Sequence, residues 1–186
     1  MSRQPTQQEK IKANLSDLAD LMIELISSCH AAGKTEITPE LVKWVKEAYV
    51  NKYNLDDMMN NFIKYTRLHW EEIYSKNENY FIEDAIKIFG DIPSDQVNIT
   101  KVLFQSKDDL GKSIISQVDK NAIWNFVTAM VKISIVHIHK CRKPIRENGE
   151  IKYTVQKYSK GDYEVKNLHY FANKFGVDLL GRYTPE

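Results

Sequence analysis

Apolar side chains recur every three or four positions from Ile11 through Leu15, Leu18, Met22, Leu25, Ile26 and Cys29, and the recurrence stops at Gly33. That spacing lines one face of a helix. Just upstream, Thr6-Gln7-Gln8-Glu9 has the form of a capping box, in which hydroxyl and carboxylate each accept from the other residue's backbone N–H. A long first helix is therefore predicted. Thr38-Pro39 supplies a cap and a first-turn proline for a second helix carrying Leu41, Val42, Val45, Ala48 and Tyr49. Asn54 or Asp56 opens a third with Met59, Phe62, Ile63, Thr66, Trp70 and Ile73. A shorter helix is expected from about Glu78 to Phe89, with Gly90 suited to its C-terminal cap.

Asp91-Ile92-Pro93-Ser94 breaks the pattern, and residues 95–117 read as short helices separated by a turn at Ser106-Lys107-Asp108-Asp109. Asp119 then starts the most hydrophobic stretch of the chain. Ile123, Val127, Met130, Ser134, Ile138 and Cys141 share one helical face, while Trp124, Val131 and Ile135 load a second. A helix apolar on most sides is the one that others surround, so residues 120–141 are predicted to be the central core helix. Beyond Lys143-Pro144, alternating residues on either side of Asn148-Gly149 predict a small basic β-hairpin at about 145–155. A last helix is expected after Asp162, through Val165, Leu168, Phe171, Ala172 and Phe175 to Gly176. The fold expected is mainly α, a single-domain helical bundle over residues 1–186. It has a flexible N-terminus at 1–6, a hairpin insertion at 144–160 and a C-terminal helix and tail at 162–186.

Composition narrows the class. The 186 residues, 42% of them apolar, suffice for one sizeable core. Uninterrupted apolar runs are far shorter than the roughly 20 residues that cross a bilayer, so no membrane span is expected. The polar start Met1-Ser2-Arg3-Gln4-Pro5 does not read as a secretory signal, which predicts a cytoplasmic protein with Cys29 and Cys141 as buried thiols. Ile, Lys, Asn and Tyr make up 63 residues, the footprint of an AT-rich genome, which weakens any argument from Lys or Asn abundance. The net charge is only +1, but it is uneven: residues 54–95 hold four positive and nine negative side chains, and residues 137–160 hold seven positive and two negative.

Motifs for catalysis are incomplete. Gly33-Lys34-Thr35 and Gly111-Lys112-Ser113 match the end of a phosphate-binding loop, yet Ser28 and Ser106 stand where its first glycine belongs. Helix-cap and turn roles are expected for both. No Glu-x-x-His pair exists for a di-iron bundle. His137 and Cys141 share a helical face, but two ligands do not make a zinc site. Cys29 falls on the apolar face of its helix and His30 points away from it, and no Gly-x-Ser-x-Gly or Gly-x-Gly-x-x-Gly is present. The expectation is a protein that is not an enzyme, with no catalytic residue, no metal and no cofactor.

Two surfaces remain as candidates for binding partners. The first is basic: Lys140, Arg142, Lys143, Arg146, Lys152, Lys157 and Lys160, interleaved with Tyr153 and Tyr158. The second, weaker candidate is an acidic face of Asp56, Asp57, Glu71, Glu72, Glu83 and Asp84. A pI near 7.7 falls below that of a dedicated nucleic-acid binder, so protein partners are favoured, self-association among them, with nucleic acid as the alternative. Trp70 is expected in the core and Trp44 partly exposed.

The segment Asp119-Lys120-Asn121-Ala122-Ile123-Trp124-Asn125-Phe126-Val127 runs on into an apolar helix ending His-Lys-Cys-Arg. It resembles the core segment of small helical virion and assembly proteins of nucleocytoplasmic large DNA viruses. The resemblance covers residues 119–141. It implies a non-catalytic minor virion or assembly component, with capsid protein among its partners, and carries over no catalytic residues.

Overall fold

A computed structural model of the chain describes residues 3–83, 99–141, 144–155 and 163–179. Helix α1 spans Gln7–Ala31 and opens with the capping box. The Thr6 hydroxyl accepts from the Glu9 N–H at 3.1 Å, and the Glu9 carboxylate accepts from the Thr6 N–H at 2.7 Å. Its apolar face from Ile11 to Cys29 is buried, and Gly33 follows it with φ at 68°. Helix α2, Pro39–Lys46, begins with the Thr38 hydroxyl accepting from the Leu41 N–H and continues into a π-helical turn at Glu47–Asn51.

The third predicted helix is interrupted. It forms α3 at Leu55–Thr66, a 3₁₀ turn at Arg67–His69 and α4 at Trp70–Tyr74. Buried Thr66 supplies the reason. Its hydroxyl donates back to the Phe62 carbonyl at 2.8 Å and accepts from the Trp70 indole N–H at 3.2 Å. Back-bonding of this kind bends a helix, and here it lets Trp70 and Ile73 stay in the core after the break.

Helix α5 runs over Glu78–Glu83, and the rest of the helix expected to Phe89 and Gly90 lies outside the described residues. Helix α6 is Ile99–Gln105. A tight turn follows in which the Asp108 carboxylate accepts from the N–H groups of Leu110 and Lys112, at 2.9 and 2.8 Å, and Gly111 takes φ at 78°. Helix α7 covers Gln117–Cys141, starting two residues before Asp119. Asp119 is not its first residue. It sits in the first turn, accepting from the Ser116 N–H at 3.1 Å while the Ser116 hydroxyl accepts from its own N–H at 3.1 Å.

Three strands follow, β1 at Pro144–Glu147, β2 at Glu150–Val155 and β3 at Tyr163–Lys166, paired antiparallel in the order β1-β2-β3. Strand β3 replaces the first turns of the helix expected after Asp162. Pairing with β2 gives this segment backbone partners, and Val165 is buried from the strand. Only after Asn167, with φ at 57°, does α8 run over Leu168–Lys174.

One apolar cluster passes through all eight of these helices. Helix α7 packs against α1, α3, α4 and α8, and buries Ile123, Trp124, Val127, Met130, Val131, Ile135 and Ile138. Lys34, just past α1, pairs with Asp109 in the loop that leads to α7. At the other end of α1, Gln8 donates to Asp56 at the start of α3, whose Met59 meets Ser134 late in α7. The two longest helices therefore run in opposite directions. By length and composition α7 would cross a membrane, but most of the qualifying stretch is buried against the other helices, which is consistent with no membrane span.

Candidate functional site

The described members of the predicted acidic set are spread over three helices. Asp56 and Asp57 lie in the first turn of α3, where negative charge complements the helix dipole. Asp56 also accepts from Gln8 at 3.0 Å. Glu71 and Glu72 occupy the first turn of α4, beyond the far end of α3. Glu71 is exposed but already partnered within the molecule, where Lys174 of α8 donates to it and holds its carboxyl below the ordinary glutamate value. Glu83 ends α5, and Asp84 lies outside the described residues.

Of the basic set, Lys140 is exposed in the last turn of α7. Arg142, Lys143, Lys157, Tyr158 and Lys160 lie outside the described residues. The register pairs Arg146 with Ile151, Lys152 with both Ile145 and Lys166, and Tyr153 with both Pro144 and Val165. Positions 146 and 153 thus fall on the sheet face that includes buried Val165, and position 152 on the face that includes exposed Lys166. Arg146 and Lys152 both belong to the predicted basic surface. Directly opposed residues on antiparallel strands share a face and neighbours alternate, which places these two on opposite sides.

What the fold brings together is aromatic. Trp44 is 53% exposed and Tyr53 37% exposed, with half-buried Tyr49 between them. The Trp44 and Tyr49 rings stand edge to face at 5.9 Å, and Tyr49 and Tyr53 lie 6.3 Å apart. On an uninterrupted α-helix, residues five apart point about 140° away from each other. The π turn at Glu47–Asn51 inserts an extra residue into the helical repeat, which turns Tyr49 toward Trp44. Partial exposure of Trp44 is thus observed, whereas the three-ring ladder was not anticipated. Its signal in sequence is the 44, 49, 53 spacing, which has meaning only once the π turn is known.

The ladder rests on a fixed base. Lys46 pairs with Asp20 of α1 at 2.6 Å, Lys12 of α1 donates to the Asn51 carbonyl at 3.1 Å, and buried Asn61 donates to the Tyr53 hydroxyl at 3.0 Å. Hydrogen bonding from Asn51, with Lys52 adding to it, holds the Glu47 carboxyl below its ordinary value. The platform is therefore apolar, donor-bearing and bordered by both signs of charge.

The other residues weighed for chemistry lie in structural positions. Cys29 is fully buried, and burial pushes its thiol above the ordinary value. His137 is buried within α7, and His139 faces His169 of α8 at 5.9 Å between ring centres. Among the described residues, no group of three or more His, Cys, Asp and Glu is arranged to hold a metal ion. No family model, curated protein or solved structure matches this chain.

Proposed function

We propose that this chain is a non-catalytic protein-interaction module whose docking platform is the Trp44, Tyr49 and Tyr53 ladder. The observation that carries this reading is an exposed tryptophan held in a ring stack on a helical segment tied to α1 through Lys46 and Asn51. Interface hot spots are enriched in Trp and Tyr, because such rings bury large area at small entropic cost, and a rigid base lowers that cost further. The basic residues Lys140, Arg146 and Lys152, the last two on opposite faces of the sheet, add long-range steering charge in this proposal and do not form one surface. Taken with the resemblance at residues 119–141, the role is that of a minor virion or assembly component of a large DNA virus, working inside the infected cell or the particle.

The test is a displayed peptide library selected on the wild-type protein and counter-selected on a Trp44→Ala/Tyr49→Ala variant. The expected result is a recurring apolar motif that binds wild type and is at least tenfold weaker on the variant. Enrichment of no motif, or of motifs indifferent to both rings, overturns the reading. A salt-sensitive nucleic-acid shift that persists in the variant and falls on charge reversal at Lys140 and Lys152 would install the nucleic-acid alternative in its place.

A further inference from the structure

Lys174 shows how this chain docks one of its own helices. Its ammonium lies 4.8 Å from the centre of the Tyr74 ring and 5.4 Å from that of Tyr170, and it donates to the Glu71 carboxylate. Two exposed tyrosines and a carboxylate thus share one cation. The platform of Trp44, Tyr49 and Tyr53 carries a similar set of groups. Glu40 and Glu47 stand one turn before and one turn after Trp44, and both are exposed. Among the described residues, no cation lies over any of the three rings, and Glu40 makes neither a hydrogen bond nor an ion pair.

The lysines near the platform are placed elsewhere. Lys46 pairs with Asp20 and Lys12 donates to the Asn51 carbonyl, while exposed Lys43 lies about 100° round α2 from Trp44. Lys52 reaches Glu47 at 3.4 Å, but that pair is open to water on both sides and holds weakly. Ring faces attract cations through their quadrupole, and arginine suits them best. Its guanidinium stacks flat, sheds water more readily than an ammonium and keeps its edge donors for a carboxylate. Resting on the reading of this platform as a docking surface, we propose that the partner segment brings an arginine whose guanidinium lies on the Trp44, Tyr49 and Tyr53 ladder and donates to Glu40. Apolar residues beside that arginine cover the rest of the rings.

The experiment is an amide and indole proton–nitrogen NMR titration of the full chain with acetyl-Leu-Arg-Leu-amide. The same tripeptide with citrulline, which keeps arginine's shape and lacks its charge, is run beside it. Expected are saturable shifts of the Trp44 indole and of the amides of Trp44, Tyr49 and Tyr53, with the citrulline peptide about fivefold weaker. Trp44→Ala should abolish binding of both peptides. Glu40→Gln, at an exposed position, should weaken the arginine peptide about twofold and leave the citrulline peptide unchanged. Equal binding of the two peptides, still removed by Trp44→Ala, overturns the arginine and leaves the docking platform standing. An arginine affinity unchanged in Glu40→Gln overturns the pairing proposed. Absence of shifts at these residues with the arginine peptide overturns the inference, and the platform falls with it only if the displayed library yields no motif that depends on Trp44 and Tyr49.

Discussion

Lys174 of α8 donates to Glu71 of α4, and the same ammonium lies 4.8 Å from the centre of the Tyr74 ring and 5.4 Å from that of Tyr170. This one cation fastens the last helix to the body. Phe175 packs edge-on against Tyr74, and Phe171 against Trp70. Lys174→Met removes the charge and keeps the stem. Its expected effect is faster amide exchange confined to α8, with a small fall in Tm. The lowered pKa of Glu71 sets the sign with pH: the contribution is present above the ordinary glutamate value of 4.5 and is lost as pH falls through the lowered one. Glu71→Gln should therefore flatten the acid limb of the stability curve, which urea unfolding between about pH 6 and 3 would show.

His139 gives the opposite end of α8 its own pH dependence. Burial first, and then the charge of neighbouring His169, hold the His139 imidazole below its ordinary value of 6.5. The unfolded chain consequently binds a proton that the folded chain resists. Stability is complete above that ordinary value and declines as pH falls through the lowered one. Replacement by His139→Gln should reduce the loss of urea midpoint between about pH 7.5 and 5, and a loss of the same size in the variant would place the source elsewhere.

Trp124 is the largest group that α7 buries, and it meets Phe104 of α6 edge to face at 6.0 Å. Trp124→Ala should cost about 3–5 kcal/mol by urea denaturation, a transfer loss plus the cavity left behind. The Phe substitution keeps an aromatic contact and should cost visibly less.

Trp44 is predicted to behave in the contrary way. With more than half its surface already in water, Trp44→Ala should change folding stability by no more than about 0.5 kcal/mol. The same substitution abolishes docking if the aromatic ladder is the platform. A large loss of stability in this variant would show that the ring holds α2 in place instead.

Much of this fold is readable from local pattern. The start of α1 at Thr6, its buried stripe through Cys29, the Thr38-Pro39 entry to α2 and the central place of α7 all follow from interactions within four residues along the chain. Helical hydrogen bonds and caps close over that same distance, so sequence spacing carries them directly. Trp70 in the core was legible for the same reason, whereas spacing left Trp44 open between Val42 and Val45, and the structure settles it at about half exposed. Other features depend on partners that sequence spacing does not name. Thr66 breaks a helix because Trp70 has to reach the core, and β3 is a strand because β2 offers it a backbone to pair with. Arg146 and Lys152 part company through a register set by the Asn148-Gly149 turn, and Trp44 meets Tyr49 through one π turn. Lys120 finds Glu78 across 42 residues, beside a serine hydroxyl that no motif singles out. Local spacing therefore laid down the helices and the buried stripe. Long-range packing, which satisfies backbone and buried polar groups across the chain at once, placed the aromatic ladder and set the register of the sheet.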